Sequence, residues 1–371
     1  MQDRLRGALV GFGFIAESGH SPEYQRLVAA GELDVVAIAD GNAERRSAAA
    51  RAFPAARIFA SHEALLDRTK GELDFLDITT PPYAHASIAH AALDRGLHVL
   101  CEKPLTVTGA EANALADHAR KANRVLFPCH NYRHAPVVRE VRDMLSSGAI
   151  GPVSLVTLQT FRTTHARGVA DWRPDWRREK QYAGGGIAMD HGSHTFYLAF
   201  EWLRSYPVLV TAKAGALGAY DTEDNFSCTL TFPTGIATAH LTWTAGVRKV
   251  LYTLHGTLGA ITVDDDAVTL HQADGKTSRP VDSRIVSSKW MDASHKEWFG
   301  GLFGDFRDAV RTGLFVGPQT IDAIRCVETI CAAYESASHG SYEVSVGDRG
   351  MTAPVRRSSR RVLEPRTNVR S

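Results

Sequence analysis

From the amino terminus to about residue 130, short apolar runs alternate with longer stretches of helical periodicity. The runs at 7–10, 34–39, 75–79, 98–101 and 125–127 are rich in Val, Ile, Leu and Phe, the pattern of strands buried on both faces. Amphipathic stretches near 22–30, 43–52, 84–95 and 108–122 fall between them and predict the crossover helices of a parallel α/β sheet. After Gly151-Pro152 the rhythm changes. Runs at 154–160, 208–212, 226–232, 236–243 and 250–255 follow one another without crossover helices, which predicts a mainly antiparallel sheet. Single helices are predicted at 187–203 and near 295–313 and 319–337.

This pattern divides the 371 residues into a parallel α/β domain at 1–130, a second α+β domain at 131–347 and a tail at 348–371. The net charge of +1 hides an asymmetry: from residue 349 onward the tail carries seven arginines and one glutamate, so it is +6 and the remainder is −5. A polyanion-binding domain would place its basic stripe on a folded face. These arginines lie among Ser, Thr and Pro, which predicts a solvated, mobile tail and no nucleic-acid partner. Five cysteines with no C-x-x-C spacing read as reduced thiols. With no signal-peptide core and no apolar stretch near 18 residues, a soluble cytoplasmic protein without membrane contact is expected.

The first strand runs into Gly11-Phe12-Gly13-Phe14-Ile15-Ala16, a G-x-G-x-x-A fingerprint. The first glycine permits a tight turn, the second lets the backbone approach a pyrophosphate, and the small third residue lets helix and strand pack. The second strand ends in Asp40, placed to accept hydrogen bonds from an adenosine ribose and to repel a 2′-phosphate. That favours NAD. Arg45 and Arg46 follow closely enough to keep NADP as the alternative.

Three further segments, Thr79-Thr80-Pro81-Pro82-Tyr83-Ala84-His85, Leu100-Cys101-Glu102-Lys103-Pro104-Leu105 and Gly184-Gly185-Gly186-Ile187-Ala188-Met189-Asp190-His191-Gly192-Ser193-His194, resemble in order and spacing those of the glucose-fructose oxidoreductase / inositol dehydrogenase / MocA family. Gly256-Thr257-Leu258-Gly259 is similar to the family's late G-x-x-G turn, and the resemblance spans about residues 5–347. It implies a doubly wound Rossmann domain followed by an open-faced, mainly antiparallel sheet domain, and a nicotinamide-dependent enzyme acting on sugars, cyclitols or related polyols. Lys103, Asp190 and His194 match the family's catalytic trio. By the same resemblance Pro81, His85 and Glu102 lie near the coenzyme, Asn131 and Arg133 near the active-site mouth, and Lys103-Pro104 is a cis peptide. The expected coenzyme contacts are thus Gly11, Gly13, Phe14, Ile15, Asp40, Thr80, Pro81, His85, Glu102, Lys103 and Asn131.

The residues themselves point the same way. Glu102 and Lys103 follow a parallel strand at its carboxyl end, where open α/β sheets bind ligands, and neighbours in extended chain point apart. Asp190 and His194, four apart in a helical pattern, are expected to share a face, with the carboxylate orienting the imidazole and favouring its charged form. His194 is the first choice of base for a secondary alcohol, and Lys103 would stabilise the developing negative charge or itself exchange the proton. A zinc site at Asp190, His191 and His194 lacks further ligands, so no metal is expected. In the segment 165–178, Trp176 offers a flat face to a sugar ring and Arg177 a fork for an acid group; the alternative makes the tryptophans loop anchors and the arginines a wet exterior. Substrate contacts are therefore expected from Lys103, Arg133, Trp176, Arg177, Asp190 and His194.

Leu230, Phe232, Leu241 and Trp243, on an open sheet, would leave an apolar face uncovered in a monomer, which predicts a homodimer or homotetramer. Two rivals stand beside the dehydrogenase: an enzyme that uses bound NAD transiently for epimerisation, elimination or glycoside cleavage, and a non-catalytic dinucleotide sensor. Net coenzyme turnover separates the first, and retention of the trio argues against the second.

Overall fold

The computed structural model describes residues 4–273, 278–287 and 294–347. The arginine-rich tail lies outside the described residues. The first half contains β1 (Leu5–Val10), α1 (Ser21–Ala29), β2 (Leu33–Ala39), α2 (Ala43–Ala52), β3 (Arg57–Phe59), α3 (His62–Arg68), β4 (Phe75–Ile78), α4 (His85–Asp94), β5 (His98–Cys101), α5 (Gly109–Ala122) and β6 (Leu126–Pro128). The strands form one parallel sheet in the order β3-β2-β1-β4-β5-β6. The order reverses between β1 and β4, so their carboxyl ends open a crevice at this switch point. Local signals set the helices: Asn42 caps α2 by accepting from the Glu44 and Arg45 amides, and Thr108 with Glu111 forms a capping box on α5.

The chain continues through α6 (Pro136–Ser146), β7 (Val153–Phe161), α7 (Lys180–Ala183), α8 (Ser193–Leu203), β8 (Leu209–Gly215), β9 (Asn225–Phe232), β10 (Gly235–Thr242), β11 (Lys249–Gly256), β12 (Gly259–Asp264), β13 (Ala267–Ala273), β14 (Ser278–Ile285), α9 (Lys296–Thr312), α10 (Pro318–Ser338) and β15 (Val344–Ser345). Among the described residues nine strands form the second sheet, in the order β14-β13-β12-β11-β7-β10-β9-β8-β15, antiparallel except for β7 beside β10.

Period-two alternation along β9 sends Phe226, Cys228, Leu230 and Phe232 into the core with Phe196, Phe200 and Ile330 of α8 and α10. This corrects the expectation of an uncovered apolar face: Leu230, Phe232, Leu241 and Trp243 are each at most 4 % exposed. The helices cover that face, and the opposite one presents Ser227, Thr229, Thr231 and Thr238 between the more exposed Leu155 and Ile236. The ground on which an oligomer was expected is therefore gone.

The second half also returns to the first. Phe299, Phe303 and Phe306 of α9 enter the core beneath β1 with Tyr24, Phe75 and Phe127, and Ala323 and Ile324 of α10 pack with α5. No described helix is long and apolar enough to cross a membrane, and all five cysteines are free.

Candidate active site

A cavity of 880 Å³ runs along the crevice from the end of β2 to α8. At one end is the glycine turn. Gly11 has φ +91°, and a Cβ there would stand 2.9 Å from the backbone of Thr79 and Thr80, so this position demands glycine. At Gly13 a Cβ would meet open space, because the cavity lies there. Phe14 and Ile15 line the same end. A π-helical turn, Ile15–His20, follows, and it brings His20 beneath the crevice.

Asp40 is fixed by the amides of Phe12 at 2.7 Å and Asn42 at 2.8 Å. The two arginines that kept NADP open are engaged elsewhere. Arg45 binds the Phe12 carbonyl at 2.7 Å and pairs with Glu17, and Arg46 donates to the carbonyls of Asp40 and Gly41. Thr80, Pro81 and Asn131 line the cavity, and Thr80 Oγ1 and Asn131 Oδ1 are buried without a hydrogen-bond partner. Glycines that admit a backbone-hugging ligand, a fixed carboxylate and unspent polar atoms together fit a dinucleotide. His85 does not line the cavity; wholly buried, it sits between the two loops with ring nitrogens 2.7 Å from the Thr80 carbonyl and 2.8 Å from that of Pro104, and as the neutral imidazole that burial favours it donates to one of them.

At the middle, Glu102 and Lys103 diverge as neighbours in extended chain should, and the peptide from Lys103 to Pro104 is cis. Glu102 turns back to His20 Nε2 at 3.2 Å, and His20 Nδ1 meets Asp77 at 2.8 Å. Burial alone would lower the His20 pKa, but the two carboxylates raise it to about 9, and the imidazolium in turn holds Glu102 below the usual carboxylate range. His20, Glu102 and Cys129 are the one trio of metal-ligand types brought together among the described residues. Both ring nitrogens of His20 are already bonded to carboxylates and burial pushes the Cys129 thiol pKa up, so this trio is suited to holding a proton.

Lys103 Nζ donates to Asp190 Oδ1 at 2.7 Å. Here the expected Asp190–His194 pair fails. Residues 188–192 form a π-helical turn, whose wider spacing rotates positions four apart off a common face. Asp190 faces Lys103 and Arg177, whose Nε lies 3.6 Å from Oδ2. His194 instead stacks on Tyr132 at 3.9 Å and meets the Tyr197 hydroxyl at 3.3 Å through Nδ1. Nor is its charged form favoured: burial, followed by Lys103 and His191, pushes its pKa well below 6.5. Although burial opposes it, Lys103, Arg177 and His191 hold the Asp190 carboxyl well below the usual range.

Arg133 is a second correction. It lies outside the cavity, paired with Asp322 and with Glu201 at 3.4 Å, its guanidinium 5.2 Å from the Tyr197 ring centre. Trp172, Trp176 and Arg177 do line the cavity, with Arg177 stacked on Trp176 at 4.2 Å. Arg173 and Arg178 serve the loop itself, paired with Glu179 and with buried Asp224. Sequence reasoning missed His20, Arg162 and Arg248, of which the last two also line the cavity. The arginines meet only because β11 pairs with β7 with Lys249 opposite Phe161.

A switch-point crevice with a glycine turn, opening onto a lysine–aspartate pair and a neutral histidine, defines a dinucleotide-dependent oxidoreductase. Residues 5–130 match the family model described as oxidoreductase family, NAD-binding Rossmann fold, and residues 138–262 match the GFO/IDH/MocA C-terminal domain. The chain is 30% identical over 294 residues to levoglucosan dehydrogenase of Pseudarthrobacter phenanthrenivorans, covering 69% of this chain and 73% of that one. It is 30% identical over 274 residues to 1,5-anhydro-D-fructose reductase of Ensifer adhaerens, covering 71% and 80%. Among solved structures, levoglucosan dehydrogenase in complex with NADH superposes with a TM-score of 0.80 at 25% identity, over 93% of this chain and all of that one. The chain belongs to the Gfo/Idh/MocA family of NAD(P)-dependent oxidoreductases acting on CH–OH groups.

Proposed function

We propose that this protein is a sugar or polyol dehydrogenase, equally a keto-sugar reductase in the other direction, that prefers NAD. The single observation that carries the reading is the Lys103–Asp190 pair, set at 2.7 Å in a cavity that begins at the glycine turn and Asp40. Relatives named for levoglucosan and 1,5-anhydro-D-fructose support a carbohydrate. Gly11, Gly13, Phe14, Ile15, Asp40, Thr80, Pro81, Glu102 and Asn131 would hold the coenzyme, which supplies the hydride acceptor when bound. Engagement of Arg45 and Arg46 with other groups supports NAD over NADP.

Lys103 donates to the substrate oxygen and stabilises the charge that develops as the hydroxyl proton leaves. Asp190 keeps that ammonium aimed. His194, neutral through burial, takes the proton. For Nε2 to act as the base, the Nδ1 proton goes to the Tyr197 oxygen, whose two lone pairs serve it and the Tyr132 amide at 3.1 Å. His85 acts at one remove, through the loops it packs between.

The test is reduced-coenzyme absorbance with NAD or NADP and a panel of sugars, sugar phosphates, sugar acids and inositols, with Lys103→Met as control. NAD reduction by the wild type alone is expected. Tightly bound coenzyme with no net reduction on any substrate would replace this reading by transient redox chemistry.

A further inference from the structure

The substrate end of the cavity carries more cationic charge than proton abstraction uses. Besides Lys103, it is lined by Arg162 directly after β7, Arg248 directly before β11, Arg177, and Arg167, the last paired with Asp175. Lys249 pairs with Phe161 across the two strands, so Arg248 and Arg162 project from adjacent positions. The carboxylates that line the cavity are Asp40, Glu102 and Asp190. Asp40 is bound at the glycine turn, Glu102 to His20, and Asp190 to Lys103 with Arg177 Nε 3.6 Å from its other oxygen. Among the described residues no carboxylate pairs with Arg162 or Arg248.

Their hydrogen-bonding capacity is also unspent. Arg162 is only 7% exposed; its Nη1 donates to the Phe161 carbonyl at 2.9 Å, while its Nη2 is buried with no acceptor. The Nε atoms of Arg248 and Arg177 are likewise buried without a hydrogen-bond partner. Burial first, and then the neighbouring Arg162, lower the Arg248 pKa against the opposing pull of Tyr132 and Asp265. Buried N–H donors are ordinarily satisfied, and a guanidinium fork matches an oxyanion that can accept two parallel bonds. We propose that Arg162, Arg177 and Arg248 form a subsite for an acid group on the substrate, so that the molecule oxidised beside Lys103 is a sugar acid or sugar phosphate.

This inference rests on the dehydrogenase reading only for the oxidation, and binding tests it separately. The full chain loaded with NADH is titrated by calorimetry with D-gluconate, D-glucuronate, D-glucose 6-phosphate and D-glucose, alongside the absorbance assay. At least one acid is expected to bind roughly tenfold or more tighter than D-glucose, as charge-assisted hydrogen bonds require. Arg248→Gln and Arg162→Gln should remove most of that difference with NADH binding intact. Preference for the carboxylates or for the phosphate ester identifies the acid. Arg162→Gln also removes its bond to the strand; Arg248→Gln, whose side chain makes no hydrogen bond among the described residues, keeps the test free of that loss.

Binding of D-glucose as tight as every acid, binding of none of the four, or variants that weaken acid and neutral sugar alike would overturn the subsite. Acid binding that depends on Arg248 without coenzyme reduction would instead overturn oxidation of these acids and leave the subsite standing. Reduction with neutral sugars alone would overturn the acid substrate and leave the dehydrogenase reading standing.

Discussion

Lys103 Nζ reaches Asp190 at two points, the carboxylate at 2.7 Å and the main-chain carbonyl oxygen at 3.0 Å. Two acceptors on one residue aim the ammonium before any substrate arrives, so little reorganisation remains for the reaction itself. Asp190→Asn keeps the shape and removes the charge. Its kcat should fall about 10²-fold or more while the NADH dissociation constant stays unchanged, as steady-state kinetics and fluorescence titration will show. A kcat within threefold of wild type would take Asp190 out of the reaction.

The pH dependence of oxidation tests His194. Burial lowers its pKa well below 6.5, so the imidazole is neutral at pH 7 and becomes protonated only in more acid solution. The acid limb of the kcat/KM profile should therefore lie below pH 6.5 and vanish, with most of the activity, in His194→Gln. An acid limb centred above pH 6.5 would assign it to another group.

His20 gives a stability prediction of opposite sign. Its folded pKa of about 9 exceeds the ordinary 6.5, so the folded protein binds the extra proton and is stabilised below pH 6.5. That contribution, about 3 kcal/mol, is lost as pH rises from 6.5 through 9. Urea unfolding at pH 6.5 and 9.5 should show the loss in the wild type and a much flatter dependence in His20→Gln.

Arg133→Met probes the ion pairs behind the site. Removing the cation leaves Asp322 without its buried ion-pair partner, while Glu201 keeps Arg142 at 2.6 Å, so stability should fall by about 3 kcal/mol. The substrate KM should change less than threefold, since Arg133 does not line the cavity. Thermal unfolding beside steady-state kinetics separates the two effects, and a KM change without destabilisation would return Arg133 to the substrate.

The two glycines of the turn should fail differently. Gly11→Ala strains a left-handed backbone and pushes on Thr79 and Thr80, lowering the melting temperature. Gly13→Ala meets no protein atom, so its melting temperature without coenzyme should match wild type while NADH binding weakens about tenfold or more.

Much of the first half was legible because strands covered on both faces leave unbroken apolar runs. β3 escaped: its three residues Arg57, Ile58 and Phe59 form a short, partly exposed edge strand with too little pattern to register. α6 carries Val137, Val138, Val141 and Met144 at helical spacing but lies across the change of rhythm that marked the domain boundary. The positions of Lys103, Asp190 and His194 followed from motifs, yet their pairing did not, since the π-helical turn under Asp190 has no periodicity signature that a 3.6-residue template can read. Arg162 and Arg248 are distant in sequence and become neighbours only through strand register, which no local pattern encodes.

The return of α9 to the first sheet bears on how the chain is made. Phe299 stacks on His20 at 3.9 Å, and Phe303 and Phe306 close the flank formed by Tyr24, Phe75 and Phe127. These rings leave the ribosome long after the nucleotide-binding strands have emerged. The core of the amino-terminal half thus lacks this flank until β7 to β14 have been synthesised, so the first sheet made is not the first to be completed.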